Sequence, residues 1–216
     1  YSLCSNTTGA SNTAIGMLAM ASNSTGSCNV AVGSCSLCSN TTGIKNTVIG
    51  VNALCSLTTA NGNIAVGFNA MCTNVTGCGN TAVGNCALRN ISSGSDGHNF
   101  NVAIGNCALF HNTAQSNVAV GYASLRCNTT GATNTGLGEN TLNKNTTGSC
   151  NVAIGRQAMF SNEVGTCNIA IGNNALICHC SGNGNIAIGR RALNNDCTGA
   201  SNTVVGTDAA FNNVSG

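Results

Sequence analysis

Hydrophobic and polar positions follow a fixed schedule along this chain. An asparagine, three mostly apolar residues and a glycine recur as NTAIG at 12–16, NVAIG at 101–105 and NVAIG at 151–155. With that asparagine as position 0, the motif starts at Asn12, Asn29, Asn46, Asn63, Asn80, Asn101, Asn117, Asn134, Asn151, Asn168, Asn185 and Asn202. Nine of the eleven intervals are 17 residues and the others are 21 and 16, so twelve copies of one unit account for the chain. A short fixed period of this kind marks a repeat architecture.

Within the unit, position +1 is Thr, Val or Ile and position +3 is Val, Ile or Leu in all twelve copies. Position +2 is Ala in nine copies, the others being Val48, Gly136 and Val204. β-Branched residues two apart predict a short strand with one fixed inward face, and the glycine at +4 predicts its end. A small residue at +7 and Leu or Met at +8, broken only by Ala210, predict a second short strand. The rest, typified by NTTG, is turn chemistry. Helical repeats need about 33 residues or more, so a 17-residue unit predicts one coil of a parallel β-solenoid. The expected fold is all-β, a parallel β-solenoid or β-roll of about twelve coils, forming one domain over residues 1–216. At about 4.8 Å per coil, the twelve would make a rod roughly 58 Å long.

The pattern also assigns faces. If +1 and +3 point inward, +8 must meet them, as Val102, Ile104 and Leu109 would in one layer. Alternation then puts the alanines of +2 and +7 outside, as an uncharged wall suited to association. The position-0 asparagines become a stacked column, each amide bonding to its neighbours and to turn backbone.

Composition narrows the function. The chain has 28 Gly, no Pro, no Trp and 3% aromatics, so it lacks the bulky side chains of an ordinary enzyme core. Only 6% of residues are charged, for a net charge of +2, and the seven Lys and Arg are scattered rather than gathered into a nucleic-acid stripe. No apolar run reaches the roughly 18 residues of a membrane span. The acids Asp96, Glu139, Glu163, Asp196 and Asp208 are far apart, and His98, His111 and His179 have no partners in register. Cys178 and Cys180 flank His179 without the second ligand pair that zinc requires. No catalytic residue, metal ligand set or cofactor is expected. The threonines of an ice-binding array would lie in one flat face, and here they sit in glycine-flanked turns. The insertion SSGSDGHNF at 92–100 reads as a tolerated loop.

The units NTAIG…AM, NTAVGNCAL and NVAIGRQAM, spaced by NTTG, resemble the head repeats of YadA-like trimeric autotransporter adhesins and the repeats of phage and large-virus tail fibres. The resemblance covers essentially the whole chain. It implies a parallel β-roll, usually a homotrimer, that serves as a stiff extracellular rod or an adhesive head binding host-surface glycans, with no catalytic residues to carry over. This chain departs from those repeats in its fifteen cysteines.

Several cysteines recur at one phase. Cys55 and Cys72 share +9 with Cys4 and Cys38; Cys150 and Cys167 share +16, Cys180 and Cys197 share +12, and Cys86 and Cys107 share +6. Equivalent Cα atoms in adjacent coils lie about 4.8 Å apart, within disulfide range, so inter-coil bridges and an oxidising, extracellular, cell-surface or virion-surface setting are expected. Sequons occur at Asn6, Asn23, Asn40, Asn74, Asn90, Asn128, Asn145 and Asn213, all but Asn90 at +11, predicting N-glycans along one edge. The chain opens and closes inside repeats without a polar cap, so end-to-end self-association is also expected, with Cys4 near the seam. Together these readings predict a structural subunit of an extracellular fibre or filament.

Overall fold

The structure, a computed structural model, describes residues 1–90 and 99–212. It contains twelve parallel three-residue strands: β1 (Thr13–Ile15), β2 (Val30–Val32), β3 (Thr47–Ile49), β4 (Ile64–Val66), β5 (Thr81–Val83), β6 (Val102–Ile104), β7 (Val118–Val120), β8 (Thr135–Leu137), β9 (Val152–Ile154), β10 (Ile169–Ile171), β11 (Ile186–Ile188) and β12 (Thr203–Val205). Each occupies positions +1 to +3 of its repeat, and the fold is the expected all-β parallel solenoid. The chain divides into two compact units, Tyr1–Cys107 with β1–β6 and Ala108–Gly216 with β7–β12. In both, neighbouring strands pair in strict register: Val48 lies opposite Ala31 and Ala65, and Ala170 opposite Ala153 and Ala187.

Within each unit that register puts one strand-ending glycine over the next. At Gly33, where φ is +132°, an added Cβ would stand 2.6 Å from the Gly50 carbonyl oxygen. The position therefore excludes side chains both by conformation and by backbone approach.

The strand faces are the reverse of those expected. Ala31, Val48, Ala65, Ala82, Ala103, Ala119, Ala153, Ala170 and Ala187, all at +2, are completely buried, whereas the flanking +1 and +3 residues are half-buried or exposed. Position +7 is inside as well, through Ala53, Ala87 and Ala158 and through the hydroxyl residues Ser36, Ser124 and Thr141. Only +8 faces inward as expected, with Leu54, Leu109 and Met159 fully buried. The interior of a 17-residue coil is narrow. It is lined by two walls of methyl groups, a ridge of Leu and Met, and columns of asparagine, so the larger β-branched side chains turn outward. The described aromatic residues all lie outside that interior, none of them buried.

The expected second strand is replaced by a stacked turn. Its residues +7 and +8 are both inside, which an extended strand with side chains on alternate faces does not allow. Positive φ at +6 and +8 makes the double burial possible: φ is 55° at Asn52 and 48° at Leu54. The turn closes with the Ala53 N–H donating to the Gly50 carbonyl at 3.3 Å. The N–H of Asn52 then donates to Ser34 in the preceding coil at 3.0 Å, and that of Leu54 to Ala70 in the following coil at 2.9 Å. Left-handed backbone at a leucine is costly in isolation. At Leu54 complete burial of the side chain and the inter-coil hydrogen bond offset it.

Candidate functional site

The position-0 asparagines form the expected column. Asn46 shows the arrangement with every amide valence used. Its Nδ2 donates to Asn29 Oδ1 at 3.1 Å and to the Ala60 carbonyl at 3.0 Å, closing its own coil. Its Oδ1 accepts from the backbone N–H of Asn63 at 3.0 Å and from Asn63 Nδ2 at 3.3 Å. In the second unit Asn151 repeats this, bonding to Asn134 Oδ1 and the Gly165 carbonyl.

A second buried amide column was missed in the sequence. It runs through position +11, where the sequons fall. Asn145 Nδ2 donates to Asn128 Oδ1 at 2.6 Å and to the Gly148 carbonyl at 2.9 Å, while its Oδ1 accepts from Asn162 Nδ2 at 2.7 Å. Asn23, Asn40, Asn74, Asn128 and Asn145 have no solvent exposure, and Asn6 is half-buried with its Nδ2 donating to the Gly9 carbonyl at 2.9 Å. At Asn23, Asn40, Asn128 and Asn145 the amide nitrogen of the sequon lies inside the coil and donates to two acceptors. Asn90 is half-buried at +10, and Asn213 lies outside the described residues. The signal that could have separated the readings was present, because NTTG supplies both a sequon and the asparagine of a tight turn.

Departures from asparagine in that column have visible consequences. Leu57 offers no donor, and the Oδ1 of Asn40 below it has no partner. His179 turns its ring nitrogens to the Gly182 carbonyl at 2.8 Å and the Asp196 carbonyl at 3.2 Å, leaving Asn162 Oδ1 without a partner. Asp196, fully buried one coil on, accepts from the Gly199 N–H at 2.7 Å and from Asn202 Nδ2 at 3.3 Å.

The fifteen cysteines are thiols in this structure. The expected pairs Cys55–Cys72, Cys86–Cys107, Cys150–Cys167 and Cys180–Cys197 do stand in adjacent coils, and Cys4 is exposed at +9 with Ala21 above it. Neighbouring strands stand about 4.8 Å apart, within the Cα range that a disulfide accepts. The sulfurs of Cys55 and Cys72 come to 3.3 Å. Burial and the neighbouring Cys72 push the Cys55 thiol up to about 11.

Charged groups form surface pairs. Arg191 and Arg190 bracket Asp208 at 2.6 and 3.1 Å and hold its carboxyl below the usual range, the bonded Arg191 contributing most. Arg156 meets Glu139 at 3.5 Å. Burial, and then the nearby Arg126, lower His111. Among the described residues no group of three or more His, Cys, Asp or Glu is placed to hold a metal ion, and no helix is long and apolar enough to cross a membrane. Asp96, His98 and most of the 92–100 insertion fall outside the described residues.

What the described surface does present is the outer face of the strands. In the first unit Thr47, Ile49, Ile64, Val66, Thr81 and Val83 form two outward columns, extended at +5 by Met17, Val51 and Phe68. Ile49 is 44% exposed, Phe68 49% and Met17 64%. No residue from +1 to +6 in any repeat of that unit is charged, whereas the second unit carries Glu139, Arg156, Arg190, Arg191 and Asp208 at +5 and +6. Compared with known proteins, the chain matches no family model, no curated protein and no solved structure.

Proposed function

We propose that the chain is a structural subunit that associates with copies of itself to build a fibre, using the outer strand face as the contact. One observation carries this reading: in each unit the strands present an outward, in-register ladder of Thr, Val and Ile (with Leu137), half-buried to exposed, with no charge in any strand. Solvent-facing strands in a free monomer ordinarily carry charges that prevent lateral association, and a contiguous apolar face of this kind marks an interaction surface. A second copy suits it because the same face has the same repeat along the coil direction, so one side-chain column can seat between two of the other. Covering the exposed part of one Val or Ile contributes about 1 kcal/mol, against an association cost of roughly 4–15 kcal/mol. Many rows must therefore be covered together, and the ladder supplies them. The resemblance to trimeric adhesin and tail-fibre repeats points the same way and adds an extracellular setting.

Sedimentation velocity across a wide concentration range, with negative-stain microscopy of the same samples, tests the proposal. Closed oligomers or filaments whose population rises with concentration are expected. A folded monomer at every concentration would overturn it.

A further inference from the structure

Position +9 of three successive coils in the first unit is cysteine: Cys38, Cys55 and Cys72, each half-buried. Their side chains are held in a shared direction. Cys38 Sγ donates to the Cys55 carbonyl at 3.4 Å, and Cys55 Sγ donates to the Cys72 carbonyl at 3.3 Å. Side chains that repeat one direction in register place their sulfurs about 4.8 Å apart, and the Cys55–Cys72 pair closes to 3.3 Å. A disulfide would require the sulfurs at about 2.05 Å, closer than the 3.3 Å at which the two thiols stand. Two metal–thiolate bonds of about 2.3 Å each span about 4.6 Å when linear and less when bent, which falls between the contact distance and the column spacing.

We propose that Cys55 and Cys72 form a two-thiolate site for a soft d¹⁰ cation such as Cu(I), with Cys38 continuing the column. The donor set is all sulfur, which selects soft over hard ions. Arg89 occupies +9 in the next coil, the next position of the same column. Binding is balanced by proton release: two S–H bonds break, two metal–sulfur bonds form, and the two protons pass to solvent without any change of oxidation state. Because protons compete for the same sulfurs, apparent affinity falls as pH is lowered. The site is independent of the outer strand face, so its failure would leave the assembly proposal standing.

The test titrates the reduced full chain with Cu(I) under anaerobic conditions against a chromophoric Cu(I) chelator, counting the ions retained. Other cysteines add to the total, so the difference between variants is the readout. Cys55→Ser and Cys72→Ser should each retain one ion fewer than the wild type, and the double variant also one fewer, because both sulfurs serve one ion. Cys28→Ser, whose column neighbours are Ser11 and Lys45, should retain the full number. Far-UV circular dichroism checks each fold, and either single variant suffices if the other does not fold. A folded Cys55→Ser or Cys72→Ser chain with an undiminished count, or a double variant that loses two ions, would overturn the proposal.

Discussion

An asparagine inside a narrow coil does two jobs at once, and its short side chain leaves little slack in either. At Asn46 the amide closes its own coil through Ala60 and ties it to the coils of Asn29 and Asn63. Truncating it strips the Asn63 N–H and the Ala60 carbonyl of their partners in a place water does not reach, at about 1–3 kcal/mol for each stranded group. Asn46→Ala should therefore lose on the order of 3 kcal/mol in urea unfolding. A loss below about 1 kcal/mol would mean that the column is ornamental. Leu57 and His179 show the same rule in the native chain, each leaving one amide oxygen below it unpartnered. The first column was legible in the sequence because its asparagine opens an apolar strand. The second was not, since an asparagine in NTTG satisfies the rules for exposed turns equally well, and only burial separates the two.

At the scale of the element, the three-residue strand and its glycine were legible, and the direction of its side chains was not. Alternation says that +1 and +3 share a face; it does not say which face is inside. Hydrophobicity favoured the larger residues, yet the interior takes mostly the methyl of alanine at +2, with Val48 the one larger side chain fully buried there. The stacked turn at +5 to +9 was illegible for a different reason: left-handed leucines are rare enough that a small residue followed by Leu reads as strand. Gly136 measures how tight the interior is. A Cβ there would lie 2.6 Å from Ser124 Oγ and 2.8 Å from Thr141 Oγ1, two hydroxyls that themselves meet at 2.7 Å and fill the space of the missing methyl. Gly136→Ala should cost about 1–3 kcal/mol by overpacking. Adding Thr141→Ala should recover part of that, with a coupling of at least about 0.5 kcal/mol in a double-mutant cycle. Strict additivity would show that the two positions do not share the space.

For the whole molecule, the repeat was legible along all twelve strands, and the two compact units Tyr1–Cys107 and Ala108–Gly216 meet in sequence inside the single 16-residue repeat. That irregular spacing was visible in the sequence. The face proposed for assembly was legible as composition, since the absence of charge is plain in the residues. It was assigned to the wrong positions because the direction of the strand was inverted.

Both the fold and its proposed use turn on that direction, and two adjacent residues of β3 decide it. Val48 is fully buried and Ile49 is 44% exposed on the outer ladder. The direct measurement compares Val48→Lys with Ile49→Lys by thermal unfolding and sedimentation velocity under the same conditions. The account predicts that Val48→Lys fails to fold, while Ile49→Lys keeps its strand content and melting temperature but sediments as a smaller species than the wild type. A folded Val48→Lys chain, an unfolded Ile49→Lys chain, or a folded Ile49→Lys chain that assembles as the wild type does would contradict it.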